Sequence, residues 1–562
     1  MTKPRLRMGV MVSSPYLEAW QTKCIEKVLS LGFVDLTLII VDAAKRDLSW
    51  WAQLRRFTVS QLVFMLWTKY LFLAKARKRV DMRGLMGEIS TIHCRTERKN
   101  KFSQYFSQSD TEAIRNHELD FILRFAFGII RGDILRAARY GVWSFHHDDE
   151  LKYRGAPPCF WEIYHDDAVT GFILQRLTDR LDGGVVMKKG FLKTRKWSYR
   201  GNLDAVYRAS SDFPAHVCLD IKNSNAQYIY DQPSTTKAPI YYVPNLWQQV
   251  SFAGRILRHQ FDRFWHAFFR FEQWTLALVD QPVQTIMTKG TDLAGANYLD
   301  AIASRQYLAD GFGLERDGKI LVLCENFDYR SGAGSIAWAE LAKDGKILGG
   351  PSQALDLTVH ASYPFLFEHE DEVYCAPETC QARAVTMWRA VDFPRVWRKH
   401  CEILKGIAAV DPTVFRHNGC WWLFCTDKDD HPNEKLYAWY AWDLKGPWAA
   451  HELNPIKVDV RSARCAGAPI IVDGSLYRPA QDCSLVYGGK IAISRVTRLS
   501  STEFSEDLIG VIEPDKTSPY PDGVHTLSAI GRKTLVDAKR YRFILAGMTR
   551  EARFHFRKLF AR

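Results

Sequence analysis

Leu123-Arg124-Phe125-Ala126-Phe127-Gly128-Ile129-Ile130, Ser144-Phe145-His146-His147, Arg154-Gly155-Ala156-Pro157-Pro158 and Leu181-Asp182-Gly183-Gly184 are the four runs that decide the fold of the first third of the chain. Read in order, an apolar strand ends in a glycine-containing loop, and a second strand end delivers His146. A loop then returns through Arg154-Gly155, and a later turn presents Asp182. The glycines after Asp182 permit a tight loop in which a carboxylate can approach a ligand closely. A His and an Asp brought together at strand C-terminal ends suit general acid–base work.

Working outward, Met8 to Val12 reads as a short buried strand, Tyr16 to Leu31 as a helix and Val34 to Val41 as a β-branched strand. Glu112 to Asn116 reads as helix and Phe121 to Phe125 as another buried strand. Alternating β and α with buried strands predicts an α/β doubly wound domain, placed at residues 1–235. Ser60 to Arg79 reads as an apolar helix with a basic end.

The order of the four runs resembles the folate-dependent formyltransferase family over roughly residues 5–200. That family carries an Asn-x-His at a strand end, an Arg-Gly after a loop and a Leu-Asp-x-Gly turn. Its members formylate methionyl-tRNA, glycinamide ribonucleotide or nucleotide-sugars. The resemblance implies His146 and Asp182 as catalytic residues and Phe125, Phe127, Gly128, Ile129 and Ile130 as the folate-facing loop. It further implies Arg154 and Gly155 as substrate contacts, and 10-formyltetrahydrofolate as co-substrate. Two positions depart from the pattern: Ser144 stands where the family has its Asn, and Leu151 replaces the usual loop Pro. Ser144 is therefore expected as a shorter oxyanion donor, and losing such a donor can cost roughly 10²–10³ in rate.

After Gln281 the chain turns to β. Asp310-Gly311-Phe312, Tyr363-Pro364-Phe365, Asp411-Pro412-Thr413, Ala468-Pro469-Ile470 and Asp522-Gly523-Val524 recur at intervals of roughly fifty residues, each before an alternating strand. That period predicts an all-β five-bladed propeller over 285–562, closed by a strand from 281–309. The repeat resembles the propellers of glycoside hydrolase family 43. Together with Ala376-Pro377-Glu378-Thr379, it more closely resembles the N-terminal domain of glucosamine inositolphosphorylceramide transferases. Asp310, Glu325, Glu378, Asp411, Asp482 and Asp522 are the carboxylates expected near the axis, where two at a fixed separation would be needed to hydrolyse a glycoside. An Asp that opens a blade can equally cap backbone amides in a turn.

Between the two halves, Phe252, Ile256, Phe261, Phe264, Phe268 and Phe271 alternate with Arg255, Arg258, Arg263 and Arg270 at near-helical spacing. Residues 236–284 are thus expected to form a basic amphipathic helical linker, packed between domains or lying on a membrane.

Composition sets outer bounds. With 562 residues, 47% hydrophobic and 25% charged, wholesale disorder is excluded and more than one domain is expected. A net charge of +13 favours acidic small molecules or anionic headgroups, and no basic block suggests nucleic acid. The twelve Cys are scattered singly without zinc spacing, so no metal site is expected and a reducing cytoplasmic setting fits. His147, Asp148, Asp149 and Glu150 read as a solvated acidic loop rather than a metal-ligand set, because consecutive loop residues point different ways, or as carboxylates that receive the amine of a cationic amino-sugar. The resulting expectation is an N-formyltransferase acting on an amino-sugar, in nucleotide-linked form, in surface polysaccharide biosynthesis. The alternative is a carbohydrate-active or glycan-binding propeller carrying an inactive formyltransferase-like domain.

Overall fold

The computed structural model describes residues 5–43, 57–99, 103–180, 183–289, 293–299 and 305–543. They fall into two units that divide between Gln260 and Phe261.

In the first unit the apolar runs form the strands β1 (Leu6–Val12), β2 (Val34–Asp42), β3 (Thr91–Cys94), β4 (Phe121–Arg124), β5 (Val142–His146), β6 (Val169–Arg176) and β7 (Val185–Lys193). One sheet holds them in the order β7-β6-β5-β4-β1-β2-β3. The five strands β1 to β5 pair in parallel, and β6 and β7 are added antiparallel. Met8, Val10, Met11, Leu38, Ile40, Phe121, Ile122 and Leu123 are buried, as both-face coverage of a parallel sheet requires. The helices of two turns or more are α1 (Ala19–Ser30), α2 (Val59–Leu66), α3 (Gln108–Arg115), α4 (Tyr199–Ser210), α5 (Phe213–Lys222) and α6 (Leu246–Phe269), the last running across the division between the units. Strand order runs one way from β1 to β3 and the other way from β4 onward. The C-terminal ends of β1 and β4 therefore flank a topological switch point, where open α/β sheets form their ligand crevice.

In the second unit each repeat becomes one antiparallel sheet, and the five sheets are the blades of the propeller. The inner strands of the first three blades, Gln306–Arg316, Ser362–His369 and Ala409–His417, each contain a bulge. The bulge residue has positive φ in each: 51° at Asp310, 42° at Tyr363 and 49° at Asp411. A bulge kinks the strand and frees a backbone amide from the ladder, and here that amide turns toward the adjoining blade.

Two expectations need correction. Arg270–Val279, expected inside the helical linker, is a strand paired antiparallel with Lys533–Phe543 in the last blade. This strand supplies the closure expected from 281–309; among the described residues, that segment gives the last blade the two-residue edge strand Asn297–Tyr298. The helix ends at Phe269, although the helical spacing of the aromatics continues to Phe271. Phe271, Gln273 and Trp274 then bury into the blade. The boundaries expected at 235 and 285 accordingly differ from the division at 260/261.

Candidate functional site

At the switch point, Arg124 closes β4 and lies in register with Ser144 on β5. Residues two apart on a strand share a face, so His146 projects to the same side as Ser144. The Arg124 guanidinium donates from Nε (3.2 Å) and Nη2 (2.7 Å) to Ser144 Oγ. Nη1 donates to the carbonyls of Phe127 (3.1 Å) and Gly128 (2.7 Å). Burial pulls the Arg124 pKa down to about 10, which leaves it a cation at neutral pH. No carboxylate among the described residues forms an ion pair with it. Sequence reasoning passed over Arg124. The available signal was a charged residue ending the otherwise apolar run Phe121-Ile122-Leu123.

His146 Nε2 lies 2.9 Å from the Tyr153 carbonyl. A carbonyl only accepts, so Nε2 carries a proton, and in the neutral ring Nδ1 then holds the lone pair. Ser144 is buried. Asp182, expected as the second catalytic residue, lies outside the described residues.

The expected folate loop is built on β1: the amides of Phe125 and Ala126 both donate to the Met11 carbonyl (3.0 and 3.1 Å). Phe125 stacks on Phe145 and meets Trp20 edge-on, while Phe127 packs against Phe106. The Gly128 amide donates to Gln104 Oε1, and a Cβ there would press on the same oxygen at 3.0 Å. Ile129 is exposed, whereas Ile130 belongs to the hydrophobic core and does not line an open surface. Arg154 and Gly155 pair with Ile240–Tyr241, and Arg154 Nε donates to the Ala238 carbonyl at 2.6 Å. Gly155 has φ +94° and a Cβ there would run into the Tyr241 carbonyl, so this glycine serves a close backbone approach.

The His147 to Glu150 segment, expected to be solvated, is buried throughout. Asp149 and Glu150 pair with Lys189 (2.7 and 3.0 Å), and His147 hydrogen-bonds Ser210 Oγ at 3.2 Å. Burial, assisted by the neighbouring His146, pulls the His147 pKa down to about 3, so it is neutral. Asp148 accepts from the Cys159 amide at 2.6 Å. Burial pushes Asp148 up to about 6, and burial plus the Asp148 charge push the fully buried Glu162 well above the usual range. These two carboxyls therefore carry at most one negative charge at neutral pH.

In the propeller, the axial carboxylates are bound to neighbouring blades. Asp537 accepts from the amides of Asp310 (3.1 Å), His525 (3.0 Å) and Thr526 (2.9 Å). Asp310 accepts from the Tyr363 amide (3.3 Å) and the Thr526 hydroxyl (2.8 Å). Glu378 accepts from the Asp411 amide (3.1 Å), and Asp411 pairs with Arg464 (2.5 Å) and accepts from Gln481 (2.9 Å). The Gly467 amide donates to the Tyr363 hydroxyl at 2.9 Å, and the Leu527 amide to the Ala466 carbonyl at 2.9 Å. The bonds of Asp310 with Asp537, Tyr363 with Asp310, Asp411 with Glu378 and Asp411 with Arg464 each join one blade to the next. Asp310, His525 and Asp537 place one ligand atom each within 4.8 Å of one another, a spacing that could hold a cation. In the protein as it stands, His525 Nδ1 and Asp537 form an ion pair at 2.5 Å. Of the other carboxylates expected at the axis, Asp522 accepts from the Tyr541 amide at 2.7 Å and Asp482 caps the Ser484 amide at 2.9 Å. Glu325 lies 3.9 Å from His360.

The chain thus joins a formyltransferase-like α/β unit to a propeller. Residues 289–525 match the family model described as glucosamine inositolphosphorylceramide transferase 1, N-terminal. Glucosamine inositolphosphorylceramide transferase 1 of Oryza sativa subsp. japonica is 34% identical over 205 residues, which cover 36% of this chain and 27% of that protein. Methionyl-tRNA formyltransferase of Agathobacter rectalis is 29% identical over 125 residues, 21% of this chain and 39% of that enzyme. The chain therefore spans well under half of either relative. Among solved structures, an exo-β-1,3-galactanase from Phanerochaete chrysosporium is 11% identical with a TM-score of 0.31, covering 38% of this chain and 56% of that one.

Proposed function

We propose that the first unit is an N-formyltransferase that moves a formyl group from 10-formyltetrahydrofolate to an amino-sugar, with the propeller binding the glycan part of the acceptor. The observation that supports this reading best is the placing of His146 beside the Arg124–Ser144 pair at the β1/β4 switch point. The unprotonated Nδ1 of His146 can take a proton from the attacking amine, and a donor pair can meet the charge that develops on the formyl oxygen. Sugar is preferred to tRNA because the second half matches the transferase family model named above. The reading places the enzyme in the cytoplasm at the membrane periphery. In support, α6 exposes Trp247, Val250, Leu257 and Phe261 among its basic residues. Among the described residues, no helix is long and apolar enough to cross a membrane.

The test is formyl transfer from 10-formyltetrahydrofolate to a panel of nucleotide-linked amino-sugars by the full chain, alongside His146→Ala. Transfer that depends on His146 is the expected result. A wild type that neither transfers formyl nor binds 5-formyltetrahydrofolate at millimolar concentration sinks the reading. A second reading, in which the propeller itself transfers or binds sugar, draws on the 34% identity with the rice transferase. Glycoside hydrolysis by the axial carboxylates fits less well, because Asp310, Asp411 and Asp537 spend their oxygens on inter-blade bonds.

A further inference from the structure

The guanidinium of Arg124 has five N–H groups. Four are committed: Nε and one Nη2 hydrogen to Ser144, and the two Nη1 hydrogens to the carbonyls of Phe127 and Gly128. The remaining Nη2 hydrogen has no acceptor among the described residues. Ser144 Oγ accepts twice from Arg124, and among the described residues its one acceptor is the Phe145 carbonyl at a long 3.5 Å. The Ser144 hydroxyl hydrogen is thus weakly held, and the adjoining cation polarises it. One uncommitted hydrogen and one weakly held one, on one positively charged pair, therefore stand at the end of β4 and β5, on the face that carries His146.

We propose, resting on the formyl-transfer reading, that Arg124 and Ser144 together form the oxyanion hole of the reaction, with Arg124 as a catalytic residue. In this step the acceptor amine nitrogen attacks the formyl carbon and the carbonyl π pair moves to oxygen. Nη2–H of Arg124 and the Ser144 hydroxyl donate to that oxyanion. The oxyanion then re-forms the carbonyl as the bond from the formyl carbon to N10 of the folate breaks. The proton lost by the amine passes through His146 to N10, leaving the N-formylated amino-sugar and tetrahydrofolate. A shortened side chain at 144 is, on this account, the space that admits the guanidinium. Charge-assisted donors are about twice as strong as neutral ones, so one cation can make good the loss of an amide. The Phe127 and Gly128 carbonyls fix the guanidinium plane in advance, which keeps reorganisation during the reaction small.

The experiment measures kcat and KM of formyl transfer by the full chain for wild type, Arg124→Met, Arg124→Gln, Arg124→Lys and Ser144→Ala, and guanidinium rescue of Arg124→Ala. Removing the cation in Arg124→Met should lower kcat by roughly 10²–10³ and leave acceptor KM within about threefold. Ser144→Ala should lower kcat by a smaller factor. Millimolar guanidinium should restore part of the kcat of Arg124→Ala, a response that a purely structural role would not give. Should Arg124→Met fail to fold by near-ultraviolet circular dichroism, Arg124→Gln decides. It removes the charge but keeps a planar donor, and a kcat within about threefold of wild type overturns the proposal, whereas Arg124→Lys, which keeps the charge without the fork, should retain part of kcat. An Arg124→Met enzyme with wild-type kcat, or a loss confined to KM, overturns the proposal while the formyltransferase reading stands. A wild type that binds 5-formyltetrahydrofolate but transfers nothing to any acceptor overturns both.

Discussion

Replacing Asp310 separates a structural from a catalytic axis. The Asp310 carboxylate accepts from the buried Tyr363 amide at 3.3 Å and from the buried Thr526 hydroxyl at 2.8 Å, so it bridges the second and last blades through the first. Asp310→Ala leaves both donors without a partner in a site that water does not reach. An orphaned buried donor costs about 1–3 kcal/mol, so the variant should lose roughly 2–6 kcal/mol. Asp310→Asn keeps one acceptor oxygen but turns an amide toward the other donor, and about 1–3 kcal/mol is expected. Guanidinium denaturation of the full chain, followed by circular dichroism, reports the propeller transition. Both midpoints should fall in that order without a change in slope. An Asp310→Ala chain whose propeller transition stays within about 0.5 kcal/mol of wild type would refute the inter-blade role and return Asp310 to the candidates for chemistry.

Four further outcomes are expected. Burial opposes ionisation of Glu506, but Arg478 and Lys457 outweigh it and hold its pKa down to about 2; this stabilisation is therefore present above the ordinary carboxylate range near 4.5 and fades as pH falls toward 2, a part of the acid loss of stability that Glu506→Gln removes. Glu506→Gln at neutral pH leaves the buried Arg478 uncompensated and should cost about 3–5 kcal/mol by denaturant titration. Burial pushes Asp310 and Asp411 up to about 6, so their contribution is whole below about 4 and is lost as pH rises to about 6; replacing either by Asn should flatten that part of the stability profile. Ser144→Asn should lower formyl transfer, because the larger amide meets Arg124 in a buried position where overpacking costs about 1–3 kcal/mol.

The parts of the fold that could be read from the sequence are those governed by local chemistry. Met8 to Val12 and Val34 to Val41 announce buried strands through their own side chains, and the structure holds them in parallel register. The blade openings recur because Asp310, Tyr363 and Asp411 occupy the same left-handed bulge. The strand Arg270–Val279 was hidden, because Phe261, Phe264, Phe268 and Phe271 keep helical spacing across a point where the structure changes to strand. Its partner lies at the far end of the chain, so no nearby residue signals the pairing. The crevice was half legible. His146 and Ser144 carry a spacing that can be recognised, but the engagement of Ser144 by Arg124 is a contact across two strands 20 residues apart. The burial of Asp148 beside Glu162 is likewise a tertiary fact, since an acidic run reads as solvated until a helix covers it.

The last blade carries a consequence for how the ring is made during synthesis. Gln273 and its partner Arg540 are 267 residues apart, and the four intervening blades leave the ribosome before the partner strand exists. At translation rates of about 5–20 residues per second, the strand Arg270–Val279 waits on the order of 10–50 s with its ladder edge unpaired. Through that interval the nascent propeller is an open arc with two exposed edges, and edges of this kind recruit other strands. Chaperone dependence should therefore concentrate in this window, and a chain stalled before Lys533 should be held by chaperones or aggregate, whereas release of the full chain ends the hazard in a single closing event.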